Sequence, residues 1–93
     1  MNAKEAVKSA IDFVGELFEN EKPTNIGLEE VVFNSATNSW DVTVGFSRPW
    51  DFPSSNVLAN IQKPMPKRVY KVVSIDNASG GIKEVKMREG PDA

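Results

Sequence analysis

Trp40-Asp41-Val42-Thr43-Val44-Gly45-Phe46-Ser47 alternates residue by residue. Successive side chains of an extended chain point to opposite faces. Trp40, Val42, Val44 and Phe46 therefore share one face, and Asp41, Thr43, Gly45 and Ser47 share the other. The stretch predicts a half-buried antiparallel strand with one side on a core and one side toward solvent.

Working backwards, residues 35–39 are small and polar and read as a turn. Residues 28–34, Leu-Glu-Glu-Val-Val-Phe-Asn, supply a preceding strand, and the short connection makes the two a hairpin. Ahead of them, Val7, Ala10, Ile11, Val14, Leu17 and Phe18 recur at helical spacing across residues 3–19. Asn2 and Glu5 are spaced as a capping box. Lys22-Pro23 ends the helix, since a residue before proline avoids helical angles. The apolar stripe is the natural cover for the Trp40–Phe46 face.

Working forwards, Arg68 to Asp76 forms a third strand, Asn77 to Gly81 a turn with two permissive glycines, and residues 82–88 a fourth strand. The predicted class is α+β: an N-terminal helix packed on a four-stranded antiparallel β-meander. Residues 1–93 make a single domain, since 40% hydrophobic and 26% charged residues over 93 positions suit one globular unit. Residues 89–93 should fray as a tail.

Residues 48–67 interrupt this pattern. They hold Pro49, Pro53, Pro64 and Pro66 together with Trp50, Phe52, Val57, Leu58, Ile61 and Met65. That is too aromatic for a linker, and so long a connection in a small domain implies a use. Ser54 or Ser55 is placed to cap a short helix through Gln62. Within the insertion, Arg48, Trp50 and Phe52 sit beside two prolines. Tryptophan and arginine dominate binding hot spots, and rigid backbone lowers the ordering cost. These three residues are the candidate binding surface.

Chemistry is sparse. The chain has no cysteine and no histidine. Thiol catalysis, disulfides and zinc-thiolate sites are excluded, along with the commonest general base near neutral pH. Glu29 and Glu30, adjacent in a strand, should face opposite ways and so form no acid-base pair. Asp41 and Asp51 could meet only through the geometry of the loop that carries Asp51. Ser79-Gly80-Gly81 lacks the lysine of a phosphate loop. A calcium loop starting at Asp76 would need a glutamate where Met87 stands. No enzyme activity, cofactor or metal is expected.

The net charge is −2. Residues 1–30 carry 7 acids and 3 bases, residues 63–93 carry 7 bases and 4 acids. Lys63, Lys67, Arg68, Lys71, Lys83, Lys86 and Arg88 could surround Tyr70, but strand alternation splits them between faces, and edge-strand lysines explain them. Nucleic acid is not expected as a partner. The first 18 residues lack the apolar core of a signal peptide, and no run of about 18 apolar residues occurs. No membrane span and a cytoplasmic setting are expected.

Trp40-Asp41-Val42-Thr43-Val44 and the run Tyr70-Lys71-Val72-Val73-Ser74-Ile75-Asp76-Asn77-Ala78-Ser79-Gly80-Gly81-Ile82 resemble PepSY-type domains, within a broader cystatin-like order of elements. The second run is similar to that family's strand, Asp-x-x-Thr/Ser-Gly turn and strand. The resemblance implies an inhibitory or binding role. The cystatin Gln-x-Val-x-Gly hairpin is missing, so papain-type inhibition is not implied. The leading expectation is a non-catalytic protein-binding domain, inhibitor-like or immunity-like, with an unidentified protein partner. The alternatives are a small-ligand domain with its pocket between helix and sheet, and a structural domain that forms a two-fold homodimer.

Overall fold

The computed structural model describes residues 1–52 and 67–89. Helix α1 spans Ala3–Leu17, and strands β1 (Thr24–Asn34), β2 (Ser39–Ser47), β3 (Val69–Asp76) and β4 (Ile82–Arg88) form one sheet in the order β1-β2-β3-β4. Every neighbouring pair is antiparallel. The fold is α+β, a helix on a four-stranded meander, as the alternation around Val42 predicts. Among the described residues, no helix is long and apolar enough to cross a membrane. The helix proposed through Gln62 and the tail beyond Glu89 lie outside the described residues.

The predicted local signals operate. Asn2 Oδ1 accepts from Glu5 N at 2.8 Å and Asn2 N donates to Glu5 Oε1 at 2.9 Å, closing the capping box. At the β3–β4 turn, Ser79 N donates to Asp76 Oδ2 at 2.8 Å, Gly81 N donates to Ser79 Oγ at 3.1 Å, and Gly80 takes φ +75°. The two turns at this end are joined: Asn77 N donates to Asn38 O at 3.0 Å, and Trp40 Nε1 donates to Asn77 Oδ1 at 2.9 Å.

Ala6, Ala10 and Val14 pack, fully buried, against Val42, Val44, Phe46, Val73 and Ile75. Positions 6, 10 and 14 centre the helix stripe. Their small side chains let α1 lie close across β1, β2 and β3. This centring rotates Leu17 away from the sheet: it is 52% exposed and is not the core residue that its spacing suggests. Phe18 does turn inward, its ring 5.5 Å from that of Phe46.

β1 starts four residues earlier than its sequence pattern indicates and departs from regular pairing twice, between Thr24 and Gly27 and between Leu28 and Glu30. Leu28 pairs with Val44 and Glu30 with Thr43. Glu29 is thus the extra residue of a β-bulge, which resets the alternation. It overturns the expectation that Glu29 and Glu30 face opposite ways: both reach the face of the sheet away from α1, where Glu29 meets Arg68 at 3.6 Å and Glu30 meets Arg88 at 3.0 Å.

That second face is roofed by its own polar side chains. Arg88 Nη1 donates to Thr43 Oγ1 at 2.8 Å and Arg68 Nη2 to Asn25 O at 2.9 Å. Ser74 Oγ donates to Asp41 Oδ1 at 2.7 Å. Gly45 leaves the room for this: a Cβ there would stand 2.8 Å from Glu29 Oε1 and 3.0 Å from Arg68 Nη2. Thr43 is consequently buried on the side opposite the helix.

Candidate functional site

β2 ends at Ser47 in a buried position, and the chain leaves the sheet through Arg48 in extended conformation into a single 3-10 turn, Pro49–Asp51. Proline suits the first position of such a turn, where its missing N–H is not needed. Asp51, three residues after Arg48, closes it. The Asp51 carboxylate accepts from Arg48 N at 2.8 Å, from Arg48 Nε at 2.8 Å and from Arg48 Nη2 at 3.2 Å. The Asp51 side chain is only 3% exposed.

A second acid completes the clamp. Glu21, in the 3-10 turn Glu19–Glu21 that follows α1, lies 3.5 Å from Arg48 Nη1. The acidic end of the helix thereby ties α1 to the end of β2. Asp51 O accepts from Lys67 N at 2.9 Å, pinning the two ends of the intervening segment together.

The ion pair shapes both titrations. Hydrogen bonding from the Arg48 side chain, foremost, holds the Asp51 carboxyl below the ordinary aspartate value of 3.8, while its burial acts the other way. The same hydrogen bond raises Arg48 above its ordinary value.

The three predicted binding residues therefore divide in role. Arg48 is half-buried, with its donors engaged by Asp51 and Glu21 and its guanidinium carbon 5.2 Å from the Trp50 ring centroid. It holds the turn and backs the indole. Trp50 is 62% exposed and Phe52 44% exposed. They are the outward-facing members. Sequence reasoning weighs Asp51 only against Asp41 and pairs neither Asp51 nor Glu21 with Arg48. The acid three residues after Arg48 was a readable signal, whereas Glu21, 27 residues upstream, carried none.

The other candidate chemistry does not assemble. Asp41 binds Ser74 in the sheet while Asp51 holds Arg48, so the two acids do not meet. Glu29 and Glu30, brought to one face by the bulge, are each met by an arginine and border a small hollow of about 140 Å³ with Thr43, Tyr70 and Arg88. The bases divide between faces as the alternation predicts: Arg68 and Arg88 reach Glu29 and Glu30 on the roofed face, whereas Lys71 Nζ lies 5.1 Å over the Phe18 ring on the helix side. Among the described residues no group of acids is arranged to hold a metal ion. The helix–sheet seam is filled by the fully buried residues of the core. An open hollow of about 380 Å³ lies on the roofed face instead, beside Ser39, Asp41, Ser74 and Lys83. No protein-family model, curated protein or solved structure matches this chain.

Proposed function

We propose that the chain is a non-catalytic protein-binding domain, inhibitor-like or immunity-like and set in the cytoplasm, that docks its partner on Trp50 and Phe52. One observation carries this reading: two large aromatic side chains stand exposed on a turn whose backbone is clamped by a half-buried ion pair. Exposed aromatics on rigid backbone concentrate binding energy, because little conformational entropy is lost when they are covered. The clamp supplies that rigidity, since Asp51 holds both the backbone and the side chain of Arg48. The partner fitting this surface offers an apolar hollow for the indole. The similarity of the Tyr70–Ile82 run to the PepSY-type pattern, read from the sequence alone, would imply the same class of role.

The small-ligand alternative places its pocket between helix and sheet, where the core side chains pack without exposed surface. That leaves the Trp50 turn as the better-supported surface.

Trp50→Ala is the deciding variant. Exposed as it is, its truncation is expected to change the unfolding free energy by no more than about 1 kcal/mol. Capture of the partner from native lysate is expected to fall to background. Denaturation and pulldown of the same preparation check both. A loss of about 3 kcal/mol or more would make Trp50 a packing residue, and undiminished capture would move the interface elsewhere.

A further inference from the structure

We infer that β4 is the seam of a two-fold homodimer, in which β4 of one protomer pairs antiparallel with β4 of its partner about an axis through Val85, extending the sheet to eight strands. The surface is distinct from the Trp50 turn. Three observations lead to it.

The first is which surfaces the described residues leave. A small sheet self-associates by stacking faces or by joining edges. One face carries α1, and the other carries the ion pairs of Arg68 and Arg88 with Glu29 and Glu30, charges that stacking would have to desolvate. At the β1 edge, pairing is irregular between Thr24 and Gly27 and again at the Glu29 bulge. Bulges of this kind spoil an edge as a template. In β4 the departure from regular pairing falls at Lys83, between the partners of Ser74 and Ile75, so the three residues at the Val85 axis, 84–86, lie on a regular edge.

The second is the helix-side row of β4. The helix lies across β1, β2 and β3. Val85, paired with the fully buried Val73, is itself half-buried, and Met87 is 83% exposed. Pairing about Val85 sets that residue against its symmetry mate in the trough between two helices.

The third is charge register. Directly opposed residues of an antiparallel pair share a face, so a symmetric pairing of β4 with itself centres on one residue. Centred on Glu84, it opposes two glutamates. Centred on Lys86, it opposes two lysines. Centred on Met87, it sets Lys86 against Arg88. Centred on Val85, it sets Glu84 against Lys86 twice and opposes no like charges. Glu84 and Lys86 already lie 3.2 Å apart within one strand. The seam therefore closes a ring of four alternating charges. Lysines on an edge ordinarily prevent pairing, but in this register each meets a carboxylate, and cross-strand pairs of opposite charge stabilise where like pairs repel.

The test uses the full chain in sedimentation equilibrium or light scattering at concentrations up to about 100 μM. Wild type is expected at twice the 10.2 kDa chain mass. Glu84→Lys alone and Lys86→Glu alone each create like-charge pairs across the axis and are expected to weaken association by about tenfold or more. Mixing the two variants opposes a doubly basic strand to a doubly acidic one and is expected to restore dimers, as is the exchange E84K/K86E in one chain. Circular dichroism confirms that each variant is folded. A monomeric wild type across this range would overturn the inference. So would single variants that dimerise as well as wild type, or a mixture that stays monomeric. Trp50→Ala is expected to leave this equilibrium unchanged, so failure of the partner-binding reading is read separately.

Discussion

Phe46→Ala is expected to lower the unfolding free energy by about 3–5 kcal/mol, the range for removing a buried aromatic ring. Phe46 has no exposed surface, pairs across the sheet with Val69 and packs its ring 5.5 Å from Phe18. It sits where the end of α1, the end of β2 and the start of β3 converge. The cavity left by alanine cannot collapse readily, because Phe18 is the C-cap residue of α1 and β2 is paired on both sides. Phe46→Leu keeps much of the volume and should cost less, about 1–2 kcal/mol. Chemical denaturation of the two variants measures both values. A loss below about 1 kcal/mol for the alanine variant would mean that the helix end is not packed on the sheet as described.

Asp51→Ala is expected to cost about 2–3 kcal/mol, because it strands a half-buried guanidinium and leaves the Arg48 backbone N–H without its acceptor. Asp51→Asn retains one acceptor oxygen and should cost roughly half as much. The same residue shapes the acid limb of stability. Its carboxyl lies below 3.8 in the folded chain and at the ordinary value when unfolded. The unfolded chain therefore takes up the proton first as the pH falls. The stabilisation is present above the unfolded value and is lost as the pH drops through the lowered folded one. Asp76 acts in the same direction, chiefly through the backbone N–H of Ser79. Denaturation midpoints measured from about pH 7 to about pH 2 should fall at the acid end, less steeply in Asp51→Asn. An identical acid limb in that variant would remove Asp51 from the account.

The architecture was legible because its signals are local. Alternation around Val42, the Asn2–Glu5 cap and the Asp76–Gly81 turn each depend on residues within a few positions. What escaped depends on partners distant in sequence. The Glu29 bulge exists only relative to Val44 and Thr43 on β2, and the early start of β1 is hidden because Asn25 and Gly27 look like loop residues. Leu17 fits the helix period yet faces outward, since the stripe centre is chosen by which residues approach the sheet, here Ala6, Ala10 and Val14. At the candidate site, composition pointed to Arg48, Trp50 and Phe52. Their division into one holding residue and two outward-facing ones needed the positions of Asp51 and Glu21.

The meander order also shapes how the chain reaches this structure. β1 and β2 are joined by four residues and β3 and β4 by five, so each hairpin closes locally, on the order of 1–10 μs. β2 and β3 are separated by about 20 residues, and their pairing must first pay the larger entropy of closing that span. The rows that hold the core, Trp40 with Ile75 and Val42 with Val73, lie across this late seam. The slow step of folding is therefore expected to be the meeting of two hairpins, which folding rates of turn and core variants would check. Substitutions within either tight turn would act mainly before that barrier, whereas truncating Val42 or Val73 would alter the barrier itself.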